Sequence, residues 1–123
     1  MADPRHALGS AAEDAVASWL GAHGWSVIGR RIRAAGGGEV DILALDPRDA
    51  LVAVEVRARR TNRTGGAAAS LDARRVGRLE RTLLHHARSV PHHALRVDLV
   101  TVEPLPGAPD RWRARRLEGV GGR

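Results

Sequence analysis

Three observations predict an α/β fold with a central mixed sheet flanked by helices. Two stretches carry apolar residues at helical spacing, several runs alternate with period two and are rich in β-branched residues, and the second helical stretch separates the third such run from the fourth. A helix joining two strands of one sheet implies a right-handed crossover, which sets those strands parallel. The second and third runs are separated only by a short polar break, so they pair antiparallel. At 123 residues the chain has room for one domain with a real core. Residues 1–123 are therefore read as a single domain, with 1–7 and 118–123 as flexible tails.

The first helix is expected from Ser10 to His23, with Ala12, Val16, Trp19, Leu20 and His23 at helical spacing and Gly24 placed to end it. Trp25, Ser26, Val27 and Ile28 open a strand that continues through Arg30, Arg31, Ile32 and Arg33. Ala34 to Gly37 form a turn into the hairpin, whose arms run from Gly38 to Leu45 and from Leu51 to Arg57. Residues 61–66 lack periodicity and read as a loop. From about Ser70, Val76, Leu79, Leu83, Leu84 and Ala87 mark a second amphipathic helix, and Pro91 lies beyond its end. Leu95 to Val102 is a strongly β-prone run. Past a loop containing Pro104, Pro106 and Pro109, Trp112 to Leu117 reads as a weaker edge strand.

Composition narrows the function classes. The chain has no cysteine, which excludes disulfides and Cys-ligated zinc. Neither its first residues nor any later run has the apolar length of a signal peptide core or a membrane span, so a cytoplasmic, membrane-free protein is expected. The net charge of +6 rests wholly on arginine, because lysine is absent. A compositional bias toward arginine accounts for the missing lysine; the excess of positive charge points to nucleic acid, whose phosphates suit bidentate arginine contacts.

The hairpin carries the sharpest chemical signal. If Asp41 lies opposite Glu55, then Leu43 faces Ala53, Leu45 faces Leu51, and Asp46 to Ala50 make an ordinary loop. Asp41, Glu55 and Arg57 then project from one face. Opposed carboxylates repel unless a cation or proton lies between them, so this register suggests a divalent-metal site with Asp41 and Glu55 as ligands. The alternative for Asp41 is a plain surface acid near a turn. Glu13 has two readings: it borders the apolar stripe of the first helix and could reach a metal through water, or it closes a Ser10-Ala11-Ala12-Glu13 capping box. Glu39 is expected to pair with Arg57 or Arg59, and Asp98 to be structural. His85, His86, His92 and His93 are not expected to form a metal cluster, because adjacent helical side chains diverge by about 100°. Arg30, Arg31, Arg33, Arg59, Arg60 and Arg63 border the proposed site and are assigned to phosphate-backbone contact.

The order α-β-β-β-α-β, with an acid in the first helix, an Asp on the second strand and Glu-x-Arg on the third, resembles the PD-(D/E)XK nuclease superfamily. Within it, the chain is similar to the uncharacterised bacterial family UPF0102, also called YraN-like. The likeness is carried by Ala12-Glu13-Asp14-Ala15 with Leu20 and Gly24-Trp25, by Gly38-Glu39-Val40-Asp41, by Val54-Glu55-Val56-Arg57 with Arg59, by residues 65–70 and by Arg96-Val97-Asp98. The resemblance implies a restriction-endonuclease-like fold similar to archaeal Holliday-junction resolvases. It further implies Mg²⁺- or Mn²⁺-dependent phosphodiester hydrolysis, with Glu13, Asp41, Glu55 and Arg57 catalytic and the Val56 carbonyl completing the metal ligands. The expected partner is nucleic acid, DNA in particular, and a homodimer is expected by analogy with the resolvases. Two positions depart from the pattern: Arg57 stands where the nuclease motif has Lys, and Arg75, assigned to nucleic-acid contact, stands where the family often has Lys. An arginine stays protonated and does not serve as a proton acceptor, which raises the alternative of a nucleic-acid-binding module that keeps the fold without turnover.

Overall fold

A computed structural model describes residues 4–58 and 71–120. Helix α1 (Pro4–Ala22) is followed by β1 (Ser26–Ile32), β2 (Val40–Leu45), β3 (Ala50–Ala58), helix α2 (Ala73–Ala87), β4 (Ala94–Leu105) and β5 (Ala108–Leu117). The strands form one five-stranded sheet in sequence order, with β3 and β4 parallel and every other neighbouring pair antiparallel. This is the expected mixed α/β sheet, and α2 is the crossover that makes its one parallel pair.

Alternation along β3 builds two cores. Val52 and Val54 join Ile42, Ala44, Val100 and Val102 on one face, where α1 seats Ala12, Val16 and Leu20. Leu51 and Ala53 join Leu43 and Val97 on the other face, where α2 seats Leu79 and Leu83. Burying both faces is what a parallel pair requires, and it explains the nearly unbroken apolar run from Ala50 to Val54.

Several boundaries differ from expectation, and three departures matter here. Helix α1 begins at Pro4, not Ser10, so Ser10 is an interior residue and the capping-box reading of Glu13 fails. Proline in the first turn gives up an N–H that has no helical partner, so Pro4 opens this helix without cost. Strand β5 begins at Ala108, with a turn at Pro106 and Gly107 in which Gly107 takes a positive φ of 73°; the proline-rich stretch is thus mostly strand. Residues 118–120, expected in a flexible tail, form a turn bonded to the sheet: the Gly119 N–H donates to Asp98 at 3.0 Å and the Val120 N–H to the Val97 carbonyl at 2.9 Å.

Candidate functional site

The hairpin register is the one that period two and loop length predict. Leu43 pairs with Ala53 and Leu45 with Leu51, which carries Asp41 to the position opposite Glu55 on the face covered by α2. The approach to Asp41 is held by glycine. The Gly38 N–H donates to the Arg78 carbonyl of α2 at 2.9 Å, and the buried Thr82 hydroxyl donates back to the Gly38 carbonyl. A Cβ at Gly37 would strike Thr82 Oγ1 and lie 3.0 Å from the Thr82 backbone nitrogen, so only glycine lets this segment seat on the helix.

Asp41 Oδ2 accepts the Val56 N–H at 2.8 Å. Glu55, only 6% exposed, is gripped by Arg75 from the first turn of α2: Nε donates to Oε2 at 3.1 Å, and Nη2 donates to Oε2 at 2.9 Å and Oε1 at 3.1 Å. Arg75 is placed by its own helix cap, where its N–H donates to Asp72 at 2.8 Å. Burial, and next the neighbouring Glu55 carboxyl, push Asp41 up to about 7, against the Val56 N–H and the Arg75 charge. Two acids thus adjoin in a site with too little countercharge for both. A Mg²⁺ ion takes one or two protein carboxylates and keeps water and phosphate oxygens as its other ligands, so this donor pair fits it. Among the described residues no third Asp, Glu, His or Cys joins the pair.

The remaining site candidates are distributed as follows. Arg57 lies two residues beyond Glu55 on the same face, in register with Thr101 of β4. Val56 contributes its N–H to Asp41, and its side chain packs on the opposite core. Glu13 lies on α1, across the sheet from Asp41 and Glu55, beside Arg30 at 3.4 Å and Arg31 at 3.5 Å. Arg30 also pairs with Asp14 at 2.7 Å, and Arg33 pairs with Glu39 at 2.8 Å. Among the described residues Glu39 therefore takes Arg33 as its partner and not Arg57, while Arg59 lies outside them. Of the arginines assigned to phosphate, Arg30, Arg31 and Arg33 meet acids of this chain and Arg75 holds Glu55; Arg59, Arg60 and Arg63 lie outside the described residues.

Asp98 is structural, as expected, and its surroundings hold more than the sequence disclosed. It is fully buried and accepts Arg96 at 2.8 and 3.1 Å and Arg116 at 3.0 Å, besides the Gly119 N–H. Arg96 reaches on to Asp46 at 3.0 Å, and both guanidiniums lie over Trp25, 6.0 Å and 5.4 Å from the ring centre. The spacing of Arg96 and Asp98 on one strand hinted at the first of these pairs. Nothing in the local pattern announced Arg116 or Trp25, which arrive from opposite ends of the chain.

Fold and site together define an α/β protein with a pair of acids on adjacent strands, Glu55 buried and braced by an arginine and Asp41 half-buried beside it. The chain belongs to UPF0102, an uncharacterised protein family whose model matches residues 12–102. It is 38% identical over 116 residues to a UPF0102 protein from Symbiobacterium thermophilum, covering 92% of this chain and 94% of the relative. A UPF0102 protein from Ralstonia pickettii is 40% identical over 113 residues, covering 86% of each chain. A third, from Bifidobacterium longum, is 33% identical over 106 residues, covering 83% of this chain and 85% of its own.

Proposed function

We propose that the chain is a metal-dependent, structure-selective nucleic-acid-processing protein of the PD-(D/E)XK type, a nuclease in which Asp41 and Glu55 hold Mg²⁺ or Mn²⁺. The observation that carries this reading is the adjacency of those two acids on one face of a β-hairpin, where stability alone would keep them apart. When bound, such an ion lowers the pKa of a coordinated water and neutralises phosphate charge. The chain's own residues do the positioning. The Val56 N–H fixes the Asp41 carboxyl, Arg75 fixes Glu55, and Arg57 extends from the same face to hold a phosphate oxygen. Because a guanidinium does not give up its proton, Arg57 stabilises charge and abstracts nothing. DNA as substrate, a cytoplasmic setting and a homodimer belong to the same proposal.

One observation favours a second reading. Arg75 already satisfies both oxygens of Glu55, and the chain offers no lysine to act beside the acids, as suits a binding module without turnover. Calorimetric Mn²⁺ titration of the wild type, Asp41→Asn and Glu55→Gln separates the readings when combined with a cleavage panel of duplex, flapped and branched DNA. The nuclease reading expects binding and cleavage in the wild type alone. Wild-type metal affinity equal to that of both variants removes the metal site, and metal binding without cleavage of any substrate selects the binding module.

A further inference from the structure

Strand β5 contributes a second cluster of arginines. Arg57 of β3 pairs in register with Thr101 of β4, and Thr101 in turn with Arg115 of β5, so all three side chains leave the same face of the sheet as Glu55. Arg113 lies on that face too, opposite Glu103. Adjacent strands lie about 4.8 Å apart, which puts Arg57 and Arg115 roughly 10 Å from one another across the ladder. Helix α2 packs on β2, β3 and β4, and its first turn stops over Glu55. Arg113 and Arg115 are exposed. Among the described residues neither Arg57 nor Arg115 has an acidic partner, and Arg113 has only a 3.5 Å approach to Glu103, the kind of surface pair that is exchanged at little cost. On β1 and just past it, Arg30 and Arg33 make closer pairs, 2.7 Å to Asp14 and 2.8 Å to Glu39, while Arg31 approaches Glu13 at 3.5 Å.

We propose that Arg57, Thr101, Arg113 and Arg115 form a track for the sugar-phosphate backbone of a nucleic acid, leading from β5 across β4 to the acid pair. The track rests on the function proposed above and specifies the side from which the substrate reaches the site. Arginine and a hydroxyl are the side chains that grip phosphate without reading base sequence, so the track orients any duplex and selects none by sequence. Salt dependence is its signature, because each phosphate contact releases counterions.

The test compares Arg113→Gln/Arg115→Gln with Arg48→Gln/Arg88→Gln, an equal loss of charge at exposed sites by the opposite ends of β3 and β4. Binding to labelled DNA duplex, branched DNA and RNA duplex is followed by fluorescence anisotropy in EDTA over a range of salt. The β5 pair is expected to weaken binding about tenfold at low salt and to flatten the logarithmic salt slope by about 2, while the control pair shifts it far less. Should the β5 double variant lose its fold, Arg115→Gln alone gives the same reading at half the size. If both pairs respond alike, the track is overturned. If they respond alike while Asp41→Asn still abolishes Mn²⁺ binding, the track falls and the metal reading stands. A wild type that binds none of the three nucleic acids overturns both.

Discussion

At the residue scale, Asp41 sets the pH response. Its carboxyl titrates near 7 in the folded protein and near 3.8 in the unfolded chain, so between those values the folded state holds the extra proton. Stability from this group is therefore greatest below pH 4, falls as pH rises toward 7, and levels off above it. The loss is on the order of 1–3 kcal/mol after allowing for solvent screening, and Asp41→Asn is expected to flatten that part of a urea-unfolding series. If Asp41 and Glu55 hold the metal as proposed, Mn²⁺ restores stability at pH 8 and little at pH 6, where the proton competes for the site. Arg75 is the other decisive residue. Arg75→Met leaves Glu55 buried without its cation, which should cost about 3 kcal/mol in the same series and be partly recovered by Mn²⁺. The two acids were legible because period two and the loop length leave one register that buries both faces. Their arginine brace was not legible, since nothing local tells a helical arginine which strand its helix will cross.

At the scale of elements, the glycine run before Asp41 shows how a backbone approach positions a side chain. Gly37→Ala would force Thr82 and the backbone of α2 away from the segment leading to β2. A destabilisation of about 1–3 kcal/mol is expected, and Mn²⁺ affinity should fall along with the melting temperature because Asp41 shifts with its strand. Valine and leucine patterns gave away the hairpin and both helix faces. Helix α1 and strand β5 run longer than their patterns, because the apolar stripe of α1 begins only at Ala12 and Pro109 was read as part of a loop, whereas proline is tolerated in a first helical turn and near the end of an edge strand. Glu13 was assigned from its place on the stripe of α1, yet that stripe faces the core opposite the acid pair, and the arginines of β1 meet Glu13 there.

At the scale of the whole molecule, the Asp98 network joins parts of the chain that are remote in sequence. Asp98→Ala would leave Arg96 with Asp46 and Glu118 and Arg116 with Glu118 alone, at a cost of about 3 kcal/mol by chemical unfolding. The network also bears on acid stability. Asp46 pays for burial, but the N–H groups of Ala50 and Arg48 and then Arg96 outweigh it and lower its pKa. Its contribution is present above pH 3.8 and fades as pH falls through the lowered value.

Because Asp98 is sealed inside the sheet while Arg116 and the Gly119 N–H come from its far side, a growing polypeptide cannot finish neutralising that carboxylate until residue 119 has cleared the ribosomal exit tunnel. Translation thus delivers the closing clasp of this architecture late, and a nascent chain stalled after β4 should remain open to protease where all 123 residues, stalled on an added C-terminal tether that spans the tunnel, resist it.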